Sequence, residues 1–159
     1  MHALDVHLQE LSQETLSLRY TVHADVSRLR IPATRKPQHM DELWKHTCFE
    51  MFVRKAPAAT AYYELNFSPS TEWALYAFEG YRRNPVSIDP ARPPQIRVTR
   101  ERHRLQLDVR ADLSGLPHAG ELALAAVIED DSGTLSYWAL KHAASKPDFH
   151  HPGSFLLQP

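Results

Sequence analysis

Aromatic side chains with polar neighbours recur three times along the chain: Trp44 in DELWKHTCFEMF, Trp73 and Tyr76 in NFSPSTEWALYAFEGYRR, and Tyr137 and Trp138 in LSYWALKH. Indoles and phenols offer flat faces on which the C–H face of a sugar ring stacks, while sugar hydroxyls take carboxylates, amides and guanidinium groups as partners. Glu50, Glu64, Asn66, Glu72, Arg82 and Glu129 are the candidate partners. Each tryptophan has a second reading as a core residue with only its polar atom at the rim. In the run from Leu135, Trp138 lies on the side opposite Leu135 and Tyr137, so the two aromatics cannot fill the same core.

The tail motif Pro147-Asp148-Phe149-His150-His151-Pro152 holds imidazoles and a carboxylate, the usual ligands of zinc and iron and the usual acid–base groups. Adjacent residues of an extended segment point to opposite faces, which argues against His150 and His151 sharing one ion. Asp148 and one histidine tying down the loop through backbone hydrogen bonds is the simpler account, and a ligand contact through His150 is the other. Cys48, between strand residues such as Phe49 and Met51, reads as a buried thiol, with His46 the one neighbour able to lower its pKa. Glu50 and Glu64 can face each other on neighbouring strands as a carboxylate pair of the glycosidase sort, although sheet faces commonly carry Glu. An enzyme built on Glu50, Glu129 or the Asp148 and His150 pair requires these groups to converge in one cleft. The chain has no Gly-rich phosphate loop, serine elbow or paired-histidine helix, so no catalytic fingerprint supports it.

These residues sit on short extended runs. Leu16 to His23 alternates apolar and polar, the mark of a half-buried strand. Val26 to Ile31 continues extended until Pro32, and the segment to Leu43 reads as a surface loop or the mouth of a site. Cys48 to Lys55, Ala61 to Phe67 and Trp73 to Phe78 form an expected antiparallel meander. Gln95 to Thr99 and Leu105 to Val109 alternate around the charged segment RERHR, read as a solvated turn. Glu121 to Ile128 is apolar on both parities and helical on propensity alone, yet Asp131-Ser132-Gly133 and the alternation after it make a hairpin with a central strand. The chain closes on a loop and the apolar run Phe155 to Leu157. Nine or ten short strands without a long helix imply an all-β, two-sheet antiparallel β-sandwich occupying residues 1–159 as one domain. One sheet face is then free to form a concave ligand surface.

Composition narrows the function classes. Eighteen Lys+Arg against 19 Asp+Glu leave a net charge of -1, so no basic field points to nucleic acid or an anionic membrane as a partner. One cysteine excludes an internal disulfide or a multi-cysteine zinc site. The start MHALDVHLQE lacks the basic-then-apolar order of a secretory leader, and no apolar run spans a bilayer, so a cytoplasmic location is expected. The 12 Pro and 5 Gly fit a sandwich with proline-stiffened loops. Oligomeric state is open.

The order of TCFEMFVR, AYYELNFSPSTEWALYAF, LQLDVRADLSGL, GELALAAVIEDDSGTLSYWAL and HHPGSFLLQ resembles the DOMON-like proteins, and within them the family 9 carbohydrate-binding modules. The resemblance covers most of the chain from about Trp44 onward and rests on the order of degenerate motifs. It implies a jelly-roll β-sandwich that binds a sugar between aromatic rings or, in other branches, haem. By position it implicates Glu50, Asn66 and Trp138, with Trp44 or Trp73 as the opposing ring. Tyr76, Glu129 and His150 complete the candidate ligand-binding set, with no catalytic or metal residue assigned. A haem site would draw an axial ligand from Met40, Met51 or the loop histidines. The PATRKPQHM loop and the DFHH element depart from the sugar-binding pattern.

Overall fold

The computed structural model describes residues 3–12, 14–116 and 120–156. Among them, ten strands form the structure: β1 (Ala3–Leu11), β2 (Thr15–His23), β3 (Cys48–Arg54), β4 (Tyr62–Phe67), β5 (Trp73–Phe78), β6 (Val86–Ser87), β7 (Gln95–Glu101), β8 (Arg104–Asp112), β9 (Glu121–Glu129) and β10 (Leu135–Ala139). One sheet has the order β1-β2-β8-β7 and the other β10-β9-β3-β4-β5-β6, every neighbouring pair antiparallel. The chain is thus an all-β sandwich of two sheets. No helix among the described residues is long and apolar enough to cross a membrane.

Periodicity explains the layering. In β2 the alternate residues Leu16, Leu18, Tyr20 and Val22 are fully buried, and in β8 Leu105, Leu107, Val109 and Ala111 match them. From the larger sheet Phe49, Met51, Leu65, Leu122, Leu124 and Ile128 meet them in a single inter-sheet core. The opposite parity of the larger sheet builds a second cluster, where Phe52, Tyr62, Phe78, Ala125 and Val127 pack under Phe149 and Phe155 of the tail. Every residue of β9 is therefore buried, because this strand lies between β10 and β3 and is covered on both faces. The β9–β10 turn is set by Asp130, whose Oδ1 accepts from the backbone N–H groups of Ser132 and Thr134 at 2.9 Å, and by Gly133 at φ +87°.

Several elements differ from the sequence reading. β1 pairs along the length of β2, although its hydrophobic signal is diluted by Asp5, His7, Gln9 and Glu10 on a largely exposed edge strand. Val26–Arg28 is a 3-10 turn capped by Asp25, not extended chain. RERHR is mostly strand: only Arg102 and His103 lie outside β7 and β8. Leu156 donates its N–H to the Leu122 carbonyl at 3.0 Å, beside β9, while Leu157 lies outside the described residues.

The Tyr20 hydroxyl crosses the core and donates to the Glu50 carbonyl at 3.0 Å. Tyr20→Phe is expected to lower stability by about 1 kcal/mol with an unchanged urea m-value, since one buried hydrogen bond is lost and the ring stays.

Candidate functional site

The outward parity of the six-stranded sheet places Glu50 on β3, Glu64 on β4 and Tyr76 and Phe78 on β5 side by side. Register sets Glu50 opposite Asn66 and Glu64 opposite both Phe52 and Tyr76. Above them opens a cavity of about 720 Å³, within the size range of small-ligand sites. Its walls come from outside the sheet: Trp44 from the 3-10 turn Leu43–Lys45, Arg82 and Pro85 from the loop after β5, Tyr137 from β10, and Phe149 and His150 from the tail.

The floor is acidic and buried. Glu50 is 3% exposed and, among the described residues, its carboxyl has no hydrogen-bond partner. Burial, then the neighbouring Glu64, push its pKa well above the usual carboxylate range, against a lowering by Arg82. Glu64 is also raised by burial, to about 7, with opposing pulls from an Asn66 hydrogen bond and from Arg82. Asn66 is wholly buried and donates its Nδ2–H to Glu64 Oε1 at 2.8 Å, so it orients Glu64 from beside the cavity.

A chain of hydrogen bonds fixes the roof. The Arg82 backbone N–H donates to the Tyr62 hydroxyl at 3.1 Å, so that hydroxyl turns its own proton to His150 Nδ1 at 2.7 Å. Nδ1 is then the acceptor, and the proton of the neutral ring sits on Nε2, 3.6 Å from Glu64 Oε2. Burial, with Arg82 adding to it, lowers the His150 pKa to about 4, so the ring is neutral near pH 7. Asp148 clasps the tail to the 81–82 loop, accepting from Arg82 Nη2 at 2.9 Å and from the Tyr81 hydroxyl. Burial opposes that carboxylate, but the Tyr81 and Arg82 hydrogen bonds outweigh it and hold its pKa below the ordinary aspartate range. Glu42 and Arg82, both lining the cavity, have left-handed backbones at φ 61° and 52°. Such conformations cost about 1–2 kcal/mol for a residue with a Cβ and cluster where geometry serves a site.

Of the sequence-stated set, Trp44, Glu50, Tyr76 and His150 line the cavity, and Asn66 stands behind Glu64. Three members are elsewhere. Trp138 pairs with Ala126 and packs against the inter-sheet core, its Nε1–H donating to Ser136 at 3.1 Å, so the cavity side of β10 belongs to Tyr137. Trp73 is 5% exposed, lies edge-on to His39 and is bonded to the 38–40 segment through its backbone, which bars it from a clamp. Glu129 is occupied by Arg30 at 2.8 Å and His46 at 2.7 Å, and joins neither Glu50 nor His150. His46 is thereby drawn away from Cys48, which packs with Leu43 and Ala74. Glu64, Arg82 and Tyr137, quoted in the sequence but absent from that set, are brought to the cavity.

The haem-ligand candidates disperse likewise: Met51 is in the inter-sheet core and Met40 packs with the Cys48 cluster. His151 accepts from the Gly153 N–H at 3.0 Å, so the two tail histidines serve different partners. Among the described residues no group of three His, Cys, Asp or Glu side chains is placed to hold a metal.

The sequence matches no protein-family model, and no curated protein matches it significantly. A solved structure from Bacteroides uniformis, provisionally described as a carbohydrate-binding protein, superposes with a TM-score of 0.67 over 96% of this chain and 75% of that one. At 12% identity the likeness establishes the shared fold.

Proposed function

We propose that this chain is a non-catalytic binding module, similar to DOMON-like and family 9 carbohydrate-binding domains, whose cavity takes a small sugar or sugar-containing ligand. The observation that carries the reading is the Glu50 carboxyl, unpartnered among the described residues, on the floor of an aromatic-walled cavity. Trp44 and Tyr137, 47% and 43% exposed, offer stacking faces at the mouth. Glu50, Glu64 and Arg82 partner hydroxyls below. The description of the Bacteroides uniformis neighbour as carbohydrate-binding supports the same ligand class.

Calorimetric titration with a panel of mono- and disaccharides tests this. At least one sugar binds, Trp44→Ala weakens it about tenfold, as loss of one stacking face should, and the melting temperature stays near wild type because the ring is half exposed. A panel without any binder overturns the reading.

One observation favours a second reading, an acid–base enzyme: Glu50, its pKa raised by burial, and Glu64, raised to about 7, share the cavity with neutral His150. Turnover of aryl glycosides that disappears in both Glu50→Gln and Glu64→Gln supports it, and absence of turnover in the wild type removes it.

A further inference from the structure

We propose that the cavity selects a sugar bearing a protonated amine, whose ammonium group is held between the carboxyls of Glu50 and Glu64. This rests on the carbohydrate reading above and names the class of sugar. Four carboxyl groups line the cavity against one guanidinium, that of Arg82; Asp41 accepts from the Tyr76 hydroxyl and Glu42 pairs with Lys45, each at 2.7 Å, which leaves Glu50 and Glu64 on the floor. Arg82 is itself engaged by Asp148 at 2.9 Å. His150 adds no charge, because its Nδ1 accepts from Tyr62 and burial keeps the ring neutral.

The floor therefore has acceptors and a cation deficit. Glu50 has both carboxyl oxygens without protein partners among the described residues. Glu64 spends Oε1 on Asn66, while Oε2 lies 3.6 Å from His150 Nε2, beyond a good hydrogen bond. The two stand on one face of adjacent strands, diagonal across the Glu50–Asn66 pair, within reach of a common point. A hydroxyl donates one hydrogen bond and brings no charge. An ammonium brings three donors and a positive charge, and so bonds oxygens of both carboxyls at once while neutralising the one that ionises. The walls agree, since Tyr76 and Tyr137 line them and aromatic rings attract a cation and disfavour an anion.

Binding has a proton balance. A protonated carboxyl on the floor loses its proton when the ammonium arrives, so the ammonium and carboxylate pair forms as a proton passes to buffer. Amine association is then tighter at pH 7.5 than at pH 6, while a neutral sugar gains nothing from the rise. The groups facing this proton are Tyr20 on β2, Cys48 and Glu50 on β3, Tyr62, Glu64 and Asn66 on β4, Tyr76 on β5, Arg82 on its loop and Asp148 and His150 on the tail.

The test is calorimetry of the intact chain with glucosamine, galactosamine and mannosamine, their parent hexoses, their N-acetyl forms and cyclohexylamine, in two buffers of different ionisation enthalpy. At least one amino hexose is expected to bind about ten- to a hundredfold tighter than its parent and N-acetyl counterparts, with release of up to one proton. Glu50→Gln erases that preference, and Glu101→Gln on the opposite sheet keeps it. Parent hexoses binding as tightly as amino hexoses overturn this inference and leave the carbohydrate reading standing. Cyclohexylamine binding as tightly as the amino hexoses, with the hexoses silent, overturns the carbohydrate reading. Silence of every probe overturns both. The wild-type proton release is read without any variant, so a poorly folded Glu50→Gln does not decide the matter.

Discussion

Arg54→Ala is expected to lower the unfolding free energy by about 3–5 kcal/mol and the melting temperature by roughly 10 °C. Arg54 ends β3 and Glu121 begins β9, directly paired in register, and both side chains are 9% exposed. Arg54 Nε donates to Glu121 Oε2 at 2.8 Å, and the guanidinium lies 4.4 Å from the Phe155 ring centre. Removing Arg54 leaves a buried carboxylate without its cation and strips Phe155 of its partner. Because a domain of this kind has only about 5–15 kcal/mol in hand, the loss is a large share. Replacing both members, as in R54M/E121L, is expected to recover most of it, because the cost comes from the unpaired charge and not from the absence of the pair. Urea denaturation of the single and double variants measures this. A double variant as weak as Arg54→Ala would refute the unpaired-charge account. The tail anchored by Arg54 and Phe155 carries Asp148 and His150, so the single variant is also expected to weaken binding of the proposed ligand.

Alternation made the inter-sheet core legible in advance. Leu16, Leu18, Tyr20 and Val22 each proved buried, and the two-faced run Glu121 to Ile128 proved the covered strand that its flanking turn implied. The candidate site was less legible, for a physical reason. Parity separates Tyr137 from Trp138, but which of them meets the cavity depends on the pairing of Tyr137 with Val127 and of Val127 with Cys48. Periodicity within one strand carries no such information. The roof is harder still. Asp148 meets Arg82 across 66 residues and Tyr81 across 67, between two proline-bordered loops with no repeating pattern to pair them. Glu129 looked as available as Glu50, both being acids in apolar strands. Only the fold shows that Arg30 and His46 claim one while, among the described residues, nothing claims the other. β1 was missed because an exposed edge strand pays little for polar residues, so selection leaves its alternation faint.

The second large effect is a pair of opposite pH dependences hidden in the wild-type protein. Glu64 has its pKa raised in the fold from 4.5 to about 7, so the native state holds a proton that the unfolded chain has released. Its contribution is present below pH 4.5 and is lost as the pH climbs to 7, an amount on the order of 3 kcal/mol at most. His150 is lowered from 6.5 to about 4, so between those values the unfolded chain binds a proton that the native state refuses. Its contribution is present above pH 6.5 and is lost as the pH falls toward 4, by a similar amount. Between about pH 4.5 and 6.5 the two slopes oppose each other. Glu64→Gln is expected to make stability rise with pH across this interval relative to wild type, by about 2–3 kcal/mol, because the falling slope of Glu64 is removed while the rising slope of His150 is kept. His150→Gln, which keeps an acceptor for the Tyr62 hydroxyl, is expected to make it fall by a comparable amount. Urea midpoints at half-unit pH steps measure both, and differences from wild type cancel the aspartates elsewhere that titrate in all three proteins. Slopes of the same sign in the two variants would show that the buried carboxyl and the buried imidazole do not keep their protons in the way their surroundings dictate.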